Sequence, residues 1–390
     1  MSKNTVHNTI GYYSGYVILG MVTAILGPSL PYLANLIGVS IQSVGSVFTA
    51  RYSGYLIGSL LFGKLYDRLH GNHLFSSMLL SMAVSMAFIP FISDLYILLI
   101  AIFVLGLAQG GLDVGGNILL IWTRKNNVAP YMNSLHFFFG FGSTLAPLLV
   151  SYTLSKFHNI SPAFWLCSLL AIPIIFWVIR IPSPAKNNKA VLANKLTANY
   201  SNILLVSIFL FFYIGSEASF AGWIYTYSQS LRLTSEQGSA LLNSAFWFSI
   251  TLGRLLTIPI TKQVKLSSLQ IVVLAAIIFS LSLMLLLPNS IVALYISVIT
   301  TGMFMASIFP ATITFAKRHM NITGQITGVF LIGSNSGAMI IPWLVGKLFT
   351  SKGAEFLPIS LIINTLIALG VFLLCTSKIP NQVNTNSMKS

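Results

Sequence analysis

The chain has 390 residues, of which 55% are hydrophobic and only 7% charged, and its 21 basic and 6 acidic side chains leave a net charge of +15. Soluble domains carry about 25% charged residues, so an ordinary water-soluble fold is excluded. A nucleic-acid partner is not implied either, because the basic residues stand singly between apolar runs and form no patch.

Apolar runs of about 20 residues, the length that crosses a bilayer, recur along nearly the whole chain. The pattern predicts an all-α membrane protein with twelve transmembrane helices at 10–36, 43–66, 73–92, 95–122, 129–155, 162–180, 202–229, 237–261, 267–287, 290–315, 323–349 and 356–376. The breaks fall at polar, Gly and Pro clusters such as His70-Gly71-Asn72 and Pro288-Asn289. The first run is long and continuous and reads as a retained helix, not a cleaved leader. Cys167 and Cys375 lie in apolar segments without a Cys or His partner, so neither a disulfide nor a metal site is implied.

From the second span onward the polar residues inside the spans become informative. The second span contains Arg51, toward the outer leaflet, where a gating role or a carboxylate partner is expected. At its inner end, Gly63 would permit close helix approach, and Asp67 and Arg68 could pair with neighbouring helix ends as a conformational latch. In the fourth span Gln109, Asp113 and Asn117 stand at i, i+4 and i+8, along one helix face. A carboxylate at the bilayer centre costs about 2.5–3.5 kcal/mol, so Asp113 should face a cavity or a partner; the alternative is a sealed hydrogen-bond seam between helices. The fifth span places Asn133 and His136 at i, i+3, and His136 could relay a proton or donate to a solute hydroxyl, or make only a structural hydrogen bond.

The stretch from Arg180 to Tyr200 is polar, basic and without acid, and it falls near the midpoint. It reads as a cytoplasmic linker (181–200) between a six-helix bundle at 1–180 and another at 201–390. In the seventh span Glu217 lies one turn beyond Tyr213, and Gly222 is a place where the helix could break. Trp223 follows, as a ring able to cover an apolar face of a bound solute or as part of an interfacial aromatic belt. The eighth span aligns Asn243, Trp247 and Arg254; Arg254 is either a gate or counter-charge, or a side chain that snorkels to the inner surface.

Lys and Arg residues between spans gather on the side of the N-terminus, among them Lys3, Lys64, Arg68, Arg124, Arg180 and Lys265. The other side has only Lys156, Arg232, Lys347 and Lys352. By the positive-inside rule both termini are cytoplasmic, and the expected location is the plasma (inner) membrane. A shift of 195 positions also superposes the halves. Gly27, Tyr32, Leu36, Ser40 and Gly58 meet Gly222, Tyr227, Leu231, Ser235 and Gly253, and Gly142, Pro147 and Val150 meet Gly337, Pro342 and Val345. Two pseudo-symmetric six-helix bundles are therefore expected, with a site at the midplane between them.

Five strings, FTARYSGYLIGSLLFGKLYDRLHGN (48–72), GLDVGGNILLIW (111–122), YMNSLHFFFGFGSTLAPLLV (131–150), YIGSEASFAGWIYTY (213–227) and LLNSAFWFSITLGRLLTIP (241–259), occur here in order. Together they resemble the major facilitator superfamily, and within it the fucose–proton-symporter-like sugar transporters and their sodium-dependent glucose transporter branch. GKLYDRLHG is similar to the superfamily's loop 2–3 motif, with one extra residue before Gly71. The resemblance implies a secondary transporter of a monosaccharide, hexose-like, working by alternating access. Gln109, Asp113, Asn117, Asn133, His136, Glu217, Trp223, Asn243 and Trp247 would contact the solute, and Asp113 or Glu217 would couple transport to Na+ or H+. The fucose–proton symporters carry an acid in the first span as well, and this chain has none there. No cofactor is expected beyond a co-transported Na+ or H+, the partners are the solute and the lipid bilayer, and the expected state is a monomer. No HExxH, GxSxG or Walker A pattern points to an enzyme. The rival readings are a drug or metabolite exporter of the same fold and a membrane receptor or sensor that binds without transport.

Overall fold

The computed structural model of the chain describes residues 3–124, 128–185, 200–320 and 324–378. They form fourteen α-helices and, among the described residues, no strand. The first half has α1 (Lys3–Ala24), α2 (Leu26–Ile37), α3 (Ile41–Val44), α4 (Ser46–Tyr66), α5 (Gly71–Phe88), α6 (Leu95–Arg124), α7 (Ala129–Phe157) and α8 (Ser161–Arg180). The second has α9 (Tyr200–Ser230), α10 (Glu236–Gln263), α11 (Leu266–Leu286), α12 (Ile291–His319), α13 (Gly324–Lys352) and α14 (Phe356–Lys378). Most of the linker expected at 181–200 lies outside the described residues.

The expected spans agree with these helices to within a few residues, except at the first. That span begins at Lys3 and is two helices, α1 and α2, bent by 49°. Pro28 explains the break: it has no N–H to offer Ala24, and its ring collides with that carbonyl. A second difference is α9, which runs unbroken through Gly222. Among the described residues nine helices are long and apolar enough to cross a membrane, and the bent α1–α2 pair makes a tenth. The other two expected spans are α4 (21 residues) and α10 (28 residues), which have the length but carry more polar groups.

Within the first half α1 packs on α7, α4 on α6 and α5 on α8; in the second, α9 packs on α13, α10 on α12 and α11 on α14. Matched helices thus make matched pairs, and glycine explains how they do so. A Cβ on Gly58 would strike the Leu107 carbonyl of α6, and one on its offset partner Gly253 would lie 2.6 Å from the Met303 carbonyl of α12. Gly142 abuts the Val17 carbonyl of α1, and its partner Gly337 abuts the Phe211 carbonyl of α9. The repeat preserves backbone-to-backbone contact, which Gly allows and a side chain forbids.

The halves meet at the end that carries the α1–α2 bend. Thr49 Oγ1 donates to the Met339 carbonyl at 3.2 Å, Ser244 Oγ to the Thr144 carbonyl at 2.8 Å, and Ser151 Oγ to the Gln237 carbonyl at 3.1 Å. There the Phe48 and Trp223 rings lie 6.1 Å apart across the seam, and Gly27 packs on the Ala221 carbonyl. The bend end is therefore closed.

Candidate functional site

Asp113, midway along α6, is the hub of the first half. Tyr55 of α4 donates its hydroxyl to Oδ2 at 2.5 Å, and the Tyr16 hydroxyl of α1 lies 2.7 Å from Oδ1 and 2.7 Å from the Asp113 carbonyl. Asn117 Nδ2 donates to the Tyr16 oxygen at 2.9 Å and to the Asp113 carbonyl at 2.8 Å. An ionised carboxylate is an acceptor only, and donors from two other helices converge on this one. The close approach of α4 that brings Tyr55 in is made by Gly106 and Gly110, which abut the Arg51 and Tyr55 carbonyls.

One turn toward the bend end lies Arg51, 3% exposed. Its Nε donates to Gln109 Oε1 at 2.8 Å and its Nη1 to the Thr23 carbonyl at 3.3 Å, while Gln109 Nε2 donates to Thr23 Oγ1 at 3.1 Å. The carboxylate partner expected for Arg51 is replaced by two neutral acceptors. Across the interface Glu217 of α9 receives the Tyr213 hydroxyl, whose oxygen also lies 2.8 Å from the Met305 carbonyl. Arg51 and Glu217 line one cavity of about 40 Å³, together with Thr23, Phe48, Tyr52 and Trp247. A water needs roughly 10–15 Å³ of such volume, so this chamber takes water- or ion-sized occupants and not a sugar ring.

On the other side of the seam α7 and α10 touch where Gly140 packs on Thr251 and the Phe139 and Trp247 rings meet edge-on, 6.3 Å apart. One turn further from the bend, His136 is solvent-exposed although it sits 6.1 Å from the Tyr16 ring and within electrostatic range of Asp113 and Arg254. The interface is therefore less tightly closed here than at the bend end. Arg254 is within electrostatic range of Tyr213 as well. The two carboxylates, the histidine and the two arginines thus border one interface.

The family model described as Major Facilitator Superfamily matches residues 12–342. The chain belongs to the Major Facilitator Superfamily. It is 26% identical to the human sodium-dependent glucose transporter 1, over 88% of this chain and 76% of that protein. Identity is 28% with the mouse sodium-dependent glucose transporter 1A, over 86% of this chain and 88% of the other. In fold it is similar to a mutant form of the nucleoside transporter NupG, at a TM-score of 0.79 and 16% identity, with 96% of this chain and 100% of that one covered. A bacterial homologue of the human lysosomal transporter Spinster, solved inward-facing and unoccupied, gives a TM-score of 0.76 at 11% identity, with 97% and 98% covered. The chain is thus a multi-pass membrane transporter of this superfamily and not an enzyme.

Within this facilitator the remaining expected site residues divide. Trp247 borders the cavity, is 6% exposed and has an Nε1 with no hydrogen-bond partner. Asn243 lies one turn away and donates Nδ2 to the Ala221 carbonyl at 2.6 Å, leaving its buried Oδ1 without a donor. Asn133 is exposed near the termini end. Gln109 is fully buried in the interhelical seam, while Asp113 and Asn117 are half-buried and share the Tyr16 hydroxyl. Gly63 does not enforce close approach: an added Cβ would lie at an ordinary 3.6 Å from Val114 Cγ1. Asp67 and Arg68 are exposed at the α4–α5 turn.

Trp223 is turned into the helix junction and does not line the chamber. Fully buried, it donates Nε1 to the Pro342 carbonyl at 2.9 Å and stacks on Phe349 at 5.6 Å, with Gly45 and Gly346 making room for its ring. These contacts, with Phe48 across the seam, lie at the closed bend end. Trp223→Phe keeps the stack and loses the N–H bond, worth about 1 kcal/mol. A cysteine placed at Thr49 in the facilitator should then react with a maleimide about fivefold faster; an unchanged rate would remove Trp223 from the closure.

The tyrosines and Thr23 were not expected from spacing. Tyr16, Tyr55 and Thr23 come from other helices, and only the pair Tyr213 and Glu217, one turn apart on α9, was visible along the sequence.

Proposed function

We propose that the chain is a secondary transporter that moves a monosaccharide of the hexose type across the plasma membrane by alternating access, coupled to Na+ or H+. The bend end faces outward and the termini face the cytoplasm, in keeping with the Lys and Arg distribution. One observation carries the reading: each half supplies a tyrosine-held carboxylate, Asp113 within electrostatic range of the exposed His136 and Glu217 on the chamber between the halves. Carboxylates, His136 and the free Trp247 N–H offer both acceptors and donors to sugar hydroxyls, and aromatic rings cover the C–H faces. Such a site rejects solutes without those hydroxyls, since its buried polar groups would be left unpaired. The relatives named sodium-dependent glucose transporters support the sugar and the cation.

The test is uptake by purified protein in liposomes, with D-glucose, D-galactose, L-fucose and uridine offered under separately imposed Na+ and proton gradients. A hexose should accumulate under one gradient and exchange by counterflow without any. Binding without counterflow would make the chain a receptor, and expulsion of a broad set of apolar solutes would make it an exporter. Either result ends the sugar-symport reading.

A further inference from the structure

Arg51 poses a physical question that solute binding does not answer. It is a guanidinium buried inside a membrane helix, held by the Gln109 side chain and the Thr23 carbonyl, both neutral. Charged side chains in such places are paired or functional. Among the described residues no ion pair joins Arg51 to a carboxylate, yet Glu217 borders the same 40 Å³ cavity from the other half. Tyr52, next to Arg51, is within electrostatic range of both. The groups that face Glu217 are Tyr213 from α9, Arg51 and Tyr52 from α4, Trp247 from α10 and Thr23 from α1, with Arg254 of α10 acting on Tyr213. Trp247 lines the chamber, and its buried N–H is unpartnered.

We propose that Arg51 is the built-in cation that exchanges with the transported Na+ or H+ at Glu217. The inference rests on the transport reading above and names the residue that couples cation to conformation. When the bend end is closed, α4 brings Arg51 to the chamber that Glu217 borders, and the carboxylate needs no other counter-charge. When that end opens, α4 and α9 separate, Arg51 leaves with Gln109 and Thr23, and the carboxylate keeps only the Tyr213 hydroxyl of its own helix. A cation then binds at Glu217, from the outside. Closure returns the guanidinium, one positive charge replaces another, and the cation leaves toward the termini end. Charge balances at each step: the carboxylate is neutralised by the arginine in one state and by the cation in the other. Binding of the cation and opening of the bend end are therefore linked, because the cation has differential affinity for the two states.

The test reads conformation and so does not require the solute to be known. In reconstituted protein carrying Thr49→Cys at the cross-half contact, maleimide labelling from the outside is compared in NaCl and choline chloride at constant pH, and at two pH values in choline chloride. Labelling should rise at least threefold with one of the two cations, which identifies it. Arg51→Gln should abolish that response and Arg51→Lys should restore part of it. Glu217→Gln, with Arg51 intact, should abolish it as well. A response that survives in Arg51→Gln or Glu217→Gln overturns the proposal, as does the absence of a response to either cation with both residues in place. D-glucose uptake is measured on the same liposomes. Cation-dependent labelling that vanishes in Arg51→Gln, without transport of any sugar, refutes the sugar reading and leaves the exchange standing. Gradient-driven glucose accumulation with a labelling response indifferent to Arg51 does the reverse.

Discussion

Asp113→Asn is expected to slow solute counterflow about 100-fold while the protein remains folded and monodisperse in detergent. The carboxylate accepts from Tyr55 on one oxygen and from Tyr16 on the other. An amide keeps one acceptor and turns an NH2 toward the second tyrosine, so one hydroxyl loses its charged acceptor and meets a donor. Hydrogen bonds to charged groups contribute about 1.5–3 kcal/mol each, and about 3 kcal/mol corresponds to a factor of roughly 10². The loss falls on the geometry of α1, α4 and α6 around the opening, where α1 and α4 must move relative to the second half. Tyr55→Phe removes one of the two donors and should slow counterflow about tenfold. If Asp113→Asn exchanges solute at the parent rate, the carboxylate is not the hub described above.

The second large effect is structural and tests the packing rule of the repeat. Gly142→Ala should lower the unfolding temperature by about 1–4 °C, because overpacking costs about 1–3 kcal/mol and the obstructing atom is the Val17 carbonyl, fixed in α1. Gly337→Ala, against the Phe211 carbonyl of α9, should behave alike. Gly63→Ala provides the contrast: its Cβ has room at 3.6 Å, and the better helix propensity of Ala, about 1 kcal/mol, should leave the protein as stable as the parent or more so. Thermal unfolding followed by size-exclusion chromatography separates the outcomes. Equal losses at Gly63 and Gly142 would mean that glycine is needed for something other than helix contact.

These two cases mark how far the sequence can be read. Helix boundaries were legible because a bilayer imposes a length and a polarity on each span, and the one misjudged span hides its break in a Pro28 effect on the preceding turn. The 195-residue repeat was legible as matching glycines, and its reason appeared only when each glycine met a carbonyl from a helix far away in sequence. The stripe Gln109, Asp113, Asn117 was placed on one face by helical spacing alone. Its partition, with Gln109 turned to Arg51 and Asp113 to two tyrosines, depends on residues 58 and 97 positions away, which local periodicity cannot reach. Trp223 shows the same reach. An aromatic ring suited to a sugar is equally suited to pack a helix junction, and the Pro342 carbonyl that accepts its N–H is 119 residues distant.

The polarity of α4 bears on how the chain is made. Arg51 in hydrocarbon costs about 2.5–3.5 kcal/mol on insertion scales, and the side-chain oxygen that accepts from it, on Gln109, is synthesised 58 residues later. At a ribosome-bound insertion channel α4 would therefore linger in the protein-lined passage until α6 arrives, and the two would enter the lipid together, their glycine surfaces already joined.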